Sequence, residues 1–262
     1  MVILSQQNLI EIGWLELSLS LTLLVVTFLL SFFFKLQIGK PVFFAGVRAA
    51  IQLVAVGLFF TAIFDHAYAI TWAWIWVITM VGIATFVVKK RVPNISRVHF
   101  ITFSALGISI SFVLAVIFPF SIIDYTPVNV VVTAGITLGN LLPIAVLAVQ
   151  QLESQFSTRL SEAEALLALG ADKKTAVRFL APKIIQTALT IQIERTRVVG
   201  LIALPGAMTG LLLAGVEPLD AVLVQLIVMY MILGSATVTV CVLVWFGLQR
   251  SFTDDLRVGK IE

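Results

Sequence analysis

An all-α, polytopic membrane protein is the fold class this sequence predicts, on three observations. The 262-residue chain is 60% hydrophobic and 12% charged, with a mean hydropathy of +1.09, more apolar side chain than a water-soluble core encloses. Those side chains gather into about seven stretches, each near the length that carries a helix across the hydrocarbon layer of a bilayer. The 17 Lys and Arg fall in alternate connections, the one-sided bias that sets membrane orientation.

The first stretch, near 12–34, reads WLELSLSLTLLVVTFLLSFFF from Trp14. It is too long and too poor in preceding basic residues for a cleaved signal peptide, and it is taken as a span. The second lies near 42–64, the third near 68–88, the fourth near 100–120 and the fifth near 127–150. The sixth is placed near 198–216 and the seventh near 220–247. Lys35, Lys40 and Arg48 follow the first span, and Lys89, Lys90, Arg91 and Arg97 the third. Arg159, Lys173, Lys174, Arg178 and Lys183 follow the fifth, and Arg250, Arg257 and Lys260 the seventh. The opposite connections, around Asp65-His66, Ile123-Asp124-Tyr125 and Glu217 to Asp220, hold no Lys or Arg. With seven spans, the basic loops are all cytoplasmic when the N-terminus is outside and the C-terminus inside. The net charge of +3 reflects this loop bias rather than a nucleic-acid surface. No internal repeat is evident, so residues 1–262 are expected to form a single transmembrane domain. The lone cysteine, Cys241, excludes an internal disulfide and reads as a buried apolar residue of the seventh span.

Residues 151–183 carry too many charges to lie in lipid and form a cytoplasmic excursion. Ser161 as an N-cap, Glu162 and Glu164 in the first turn and Gly170 as a stop predict a helix of about nine residues. Asp172 is a second N-cap candidate, opening a helix to Leu180, with Pro182 before the return to the membrane. On physics alone an amphipathic interfacial helix pair accounts for this segment. Its residues add more: Glu164-Ala165-Leu166, then Leu169-Gly170-Ala171, then Pro182, resemble the EAA loop of ATP-binding-cassette permeases. The resemblance implies that this helix docks into a groove on a cytoplasmic ATPase, with Glu164 and Gly170 as anchors and Glu162 the substitute in register. Leu166 stands where that family most often has a second alanine.

Arg48-Ala49-Ala50-Ile51-Gln52-Leu53, Ala134-Gly135-Ile136-Thr137-Leu138-Gly139-Asn140 and Leu204-Pro205-Gly206-Ala207-Met208-Thr209-Gly210-Leu211 narrow the resemblance. Together they are similar to the FetB-like family, once an uncharacterised group of membrane proteins. That family includes a bacterial iron-export permease and resembles a plant aluminium-tolerance permease. The resemblance implies a homodimer in the plasma (cell inner) membrane, bound to ATPase subunits and exporting iron.

Polar groups within the spans mark a transport path or interhelical packing, and the residues leave both open. Thr133, Thr137 and Asn140 share one stripe of the fifth span, with Gly135 and Gly139 on a neighbouring face. Gly206 and Gly210 repeat the small-residue spacing, Met208 lies between them, and Pro205 kinks the sixth span as a hinge or a static bend. Glu194 and Arg197 lie three apart and pair locally, either as an ordinary interfacial turn or as a mouth that attracts cations. Arg48 and Gln52 share a face of the second span. Glu11, Glu16, Asn140, Glu194, Met208, Met229 and Met231 supply scattered metal donors, with His66 and His99 at opposite faces. They make no strong metal site, and the metal ligands stay unknown.

A membrane-embedded hydrolase would need a Ser/His dyad or a His/Glu metal set, and neither histidine is placed for one. An ion-coupled secondary transporter or channel is an alternative, but it leaves the Glu164 to Ala171 helix without a task. No Gly-rich Lys-Ser/Thr phosphate loop occurs, so ATP is used by a separate partner chain and this chain is expected to bind no cofactor. An ATP-binding-cassette permease for another metal or a small organic substrate is the remaining alternative.

Overall fold

A computed structural model describes residues 13–64, 68–92, 98–158 and 160–251. Among them the structure is all-helical: α1 (Trp14–Phe33), α2 (Gly39–Phe64), α3 (Ala69–Arg91), α4 (Val98–Ile117), α5 (Pro127–Thr158), α6 (Leu160–Ala168), α7 (Lys173–Val198), α8 (Gly206–Leu213) and α9 (Pro218–Ser251). Five of the described helices, α2, α3, α4, α5 and α9, hold a segment long and apolar enough to cross a membrane, and α1 carries a shorter apolar stretch, Ser18–Phe33. Glu11, Asp65, His66, Arg97, Arg159, Arg257 and Lys260 lie outside the described residues.

Two compact units divide the chain, residues 1–67 with 206–221 and residues 68–205 with 222–262. In the first, α1 and α2 form a hairpin. The Leu36 N–H donates to the Ser31 carbonyl at 3.0 Å and the Lys35 N–H to the Phe32 carbonyl at 3.3 Å, closing the end of α1. Lys35 (φ 52°) and Gln37 (φ 55°) take left-handed conformations in this turn. The Phe28 and Phe43 rings pack with centroids 6.4 Å apart. At the start of α1, the Glu16 carboxylate accepts from the Gly13 N–H at 2.8 Å, so this acid serves the helix terminus.

In the second unit α3 packs on α4 and α5, and α5 on α7. The contact faces are rich in small residues, with Ala73, Ala105, Ala134, Ala145, Ala176, Ala188 and Ala236 all fully enclosed. Small side chains let backbones approach closely, which supplies dispersion contacts where lipid removes the hydrophobic drive between helices. A Cβ added at Gly135 would meet the Met80 methyl carbon at 3.5 Å, so that glycine does sit under a neighbouring helix. α4 and α9 are joined by a buried hydrogen bond in which the Thr239 hydroxyl donates to the Ser109 hydroxyl at 2.7 Å. Met231 packs with Val113, Ile117, Val228 and Ile232, a packing role for that methionine.

At Gly247, α9 passes close to Leu152 of α5. A β-carbon there would collide with the buried Leu152 side chain on α5. Gly247→Val is expected to lower the stability of the α5–α9 contact by about 1–3 kcal/mol, the usual cost of overpacking. Thermal unfolding in detergent checks it: an unchanged midpoint means Leu152 has room to turn aside.

The sixth expected span differs most. Residues 198–216 do not form one helix. α7 ends at Val198, and the chain turns at Gly200 (φ +84°), whose N–H donates to the Ala203 carbonyl at 3.0 Å. Pro205 precedes α8 instead of kinking a helix, and α8 has only 8 residues, about 12 Å of rise. A glycine in the left-handed region and a proline without an N–H, five residues apart in the sequence, are sufficient to end one helix and start another. α7 also runs unbroken from Lys173 through Pro182 to Val198, where a break was expected, because Pro182 costs the helix a single N–H bond. Ser161 lies within α6 rather than capping it. Cys241 is half-buried, not enclosed.

Candidate coupling loop and transport path

The expected nine-residue helix is α6, Leu160–Ala168, set between the long helices α5 and α7 and packed on both. Its end is closed by paired backbone bonds: the Gly170 N–H donates to the Leu167 carbonyl at 3.0 Å, and the Ala171 N–H to the Leu166 carbonyl at 3.0 Å. This reciprocal pair, with Gly170 at φ +89°, satisfies the orphan carbonyls of the last turn and needs a left-handed residue between them. The closure holds Glu162, Glu164, Ala165, Leu169 and Gly170 exposed, with Leu169 86% accessible. Leu166 and Leu167 are half-buried, so α6 presents an acidic and apolar surface with a rigid end.

Two residues on, Asp172 caps α7 by accepting from the Thr175 N–H at 2.9 Å. Hydrogen bonding to Thr175 is the main reason its carboxyl is held below the ordinary value of 3.8, with Lys174 adding a smaller pull. Because the folded-state value is depressed, the cap stabilises at pH above that ordinary value and its contribution fades as the pH falls through the depressed one. Asp172→Ala is therefore expected to lower the melting temperature at neutral pH, with the gap from the unsubstituted protein closing as the pH falls below the ordinary aspartate range. A gap that persists unchanged into acid would assign the loss to something other than the charged cap.

α5 carries the polar stripe. Thr133 and Thr137 are buried, and the Thr137 hydroxyl donates to the Thr133 carbonyl at 2.7 Å. Asn140, one turn further, is half-buried, and its side-chain amide donates to the Ile136 carbonyl at 2.8 Å. The stripe therefore has a closed end at the threonines and a more open end at Asn140. Pro143 lies inside α5 and has no N–H, which leaves the Gly139 carbonyl without its usual donor beside Asn140. At the end of α7, Arg197 pairs with Glu194 at 2.6 Å, with both side chains more than half exposed. A solvated pair of this kind adds little stability, so its position matters more than its energy.

Of the remaining candidates, Pro205 belongs to the second unit and the others to the first. Arg48 and Gln52 are exposed on α2. Gly206, Met208 and Gly210 lie on α8, Met208 half-buried, with Pro205 just ahead of them. No group of three or more His, Cys, Asp or Glu suited to a metal ion occurs among the described residues.

Sequence reasoning missed several polar groups. The Oε1 atoms of Gln192 and Gln225, and the hydroxyls of Thr85 and Thr102, are buried without a partner. A glutamine in an apolar helix is the signal that would have found the first two. Nothing in the sequence tells that Ser109 and Thr239, 130 residues apart, would pair. Pro143 was visible inside the fifth apolar stretch, and its consequence for Gly139 follows from helix geometry alone.

Residues 14–252 match the model of a group described as an uncharacterised protein family, UPF0014. The chain is 31% identical over 237 residues to "Probable iron export permease protein FetB" of Escherichia coli, covering 90% of this chain and 91% of that protein. It is 30% identical over 232 residues to "UPF0014 membrane protein YjkA" of Bacillus subtilis, covering 88% and 92%. It is 27% identical over 229 residues to "Protein ALUMINUM SENSITIVE 3" of Arabidopsis thaliana, covering 87% and 83%. No solved structure matches.

Proposed function

Because this chain belongs to the UPF0014 family of membrane proteins, we propose that it is the membrane-spanning subunit of an ATP-binding-cassette transporter that exports iron from the cytoplasm. The observation that carries this reading is α6, a short exposed helix with a rigid glycine-closed end held between two long helices. Such an element suits docking against a moving partner, and it has no work to do in a self-contained carrier. Iron comes from the name that the Escherichia coli relative bears.

In this reading the chain works as a homodimer in the plasma membrane with two ATPase subunits, its N-terminus outside and its C-terminus cytoplasmic. α3 ends in Lys89, Lys90 and Arg91 and α9 in Arg250, which the positive-inside bias puts on the cytoplasmic side with α6. In this reading the chain recrosses the membrane between Thr158 and Pro218, where the backbone at residues 199–205 is non-helical. Such backbone is tolerated at membrane depth where protein buries it or where it lines a water-filled space, and broken helices of this kind hold transport sites. Pro205, Gly206, Met208 and Gly210 are thereby candidates for the path, with Thr133, Thr137, Asn140, Arg48 and Gln52, and with Glu194 and Arg197 at its cytoplasmic mouth. The oxygens of Asn140 and the Gly139 carbonyl suit a cation that is passed on rather than retained.

Efflux of labelled iron from preloaded cells tests the cargo. Deleting the gene is expected to slow efflux and restoring it to recover the rate. Unchanged efflux in the deletion strain would remove iron from the reading and leave another metal or a small organic cargo.

A further inference from the structure

Where the coupling loop runs into α7, a groove of about 460 Å³ opens between α7 and α9. Arg178, Ala181, Pro182 and Ile185 line it from α7, and Cys241, Val242, Trp245 and Phe246 from α9. The α7 residues follow at steps of three, one and three, a single helical stripe, and Lys174 lies on that stripe one turn before Arg178. Arg250, four residues beyond Phe246 on α9, does not line the groove; its guanidinium carbon lies 5.3 Å from the centroid of the Phe100 ring on α4. The groove is thus apolar along its length and cationic at one end. No acidic side chain lines it.

We propose that this groove is a binding site for an anionic phospholipid, with an acyl chain along Ile185, Val242 and Phe246 and the phosphate on Arg178. Charge complementarity selects this occupant. A cation at the mouth of an apolar groove between membrane helices calls for one ligand that is both anionic and hydrocarbon, and basic pockets of this kind on the cytoplasmic side hold lipid head groups. Trp245 is placed as an interfacial aromatic, its ring beside the hydrocarbon near the head-group level. A helix from a second copy of the chain fits less well. Such a helix would cover the apolar length but would leave the Arg178 guanidinium without an anion unless it carried a carboxylate there.

The test is native mass spectrometry of the purified full chain in detergent, offered phosphatidylglycerol and phosphatidylcholine with identical acyl chains. Retention of phosphatidylglycerol over phosphatidylcholine is expected at about fivefold, the effect of one basic residue on an anionic lipid. Arg178→Gln is expected to erase that preference, and Val242→Trp, which fills the groove, to reduce retention of both lipids. A second measurement needs no substitution, because the chain's single cysteine lines the groove. Vesicles containing phosphatidylglycerol are expected to slow maleimide labelling of Cys241 in the unsubstituted protein relative to pure phosphatidylcholine vesicles. Equal retention of the two lipids, a preference that survives Arg178→Gln, or equal labelling in both vesicles overturns the proposal. A Val242→Trp protein that loses its dimer mass instead of its lipid would assign the groove to a second copy of the chain.

Discussion

Glu164→Lys is expected to abolish transport while leaving the protein inserted in the membrane. Glu164 is exposed on α6, whose geometry is fixed by its own backbone bonds at Gly170 and Ala171, so the substitution has little to disturb within the chain. In the proposed assembly its effect falls on the ATPase partner. A carboxylate that becomes buried against an ATPase loses its contact on reversal and places a like charge in its stead. Disrupting a buried interfacial charge contact costs about 2–5 kcal/mol, a loss in affinity on the order of thirtyfold or more. The ATPase chain should no longer copurify with the tagged permease, while yield and helix content stay unchanged. Normal copurification together with normal transport would remove Glu164 from the contact.

Asn140→Leu is expected to do the reverse, impairing transport without disturbing ATPase binding. Asn140 is half-buried and bonded to its own helix through one amide hydrogen to Ile136, so its carbonyl oxygen and second amide hydrogen remain for another partner. Leucine is close in volume and supports the helix, which keeps the packing penalty small while removing the polar group. If that group helps a cation lose its water, a transport rate lower by on the order of tenfold follows from about 1.4 kcal/mol of lost stabilisation. Flux equal to that of the unsubstituted protein would return Asn140 to helix packing. The paired outcomes separate coupling from conduction, because each variant leaves the other property intact.

The surroundings of these two residues differ in how far the amino-acid sequence alone makes them legible. α6 and its C-terminal end can be read because local chemistry decides them, a glycine that accepts a left-handed conformation at 170 and an aspartate that caps the next helix at 172, whereas its start is misplaced because Ser161 lies inside the helix. The long apolar helices are legible for a similar reason, since lipid forces each segment to satisfy its own backbone bonds. The 198–216 region is not. Its composition is as apolar as a span, and hydropathy is blind to the difference between a continuous helix and one interrupted at Gly200 and Pro205. Pro182 misleads in the opposite sense, as a proline that the long helix α7 absorbs.

For the polar stripe, spacing places Thr133, Thr137 and Asn140 on one face but gives no depth. Burial separates them, with the threonines enclosed and Asn140 more open, because α5 meets its neighbours unevenly along its length. Interhelical partners such as Ser109 with Thr239 depend on how distant segments meet, which a single sequence does not encode locally. The groove between α7 and α9 belongs to the same category. By sequence Arg178 is one more cytoplasmic charge, and only the packing of α7 beside α9 sets it in one groove with Trp245 and Phe246.

Transport into inside-out membrane vesicles distinguishes cargo movement driven by ATP hydrolysis on a separate chain from movement driven by an ion gradient. Labelled iron should accumulate in vesicles that contain both this chain and its ATPase when ATP is supplied, should fail to do so with a non-hydrolysable analogue, and should be insensitive to protonophores. Accumulation that proceeds without ATP and collapses with the proton gradient would contradict the account and make the protein an ion-coupled carrier.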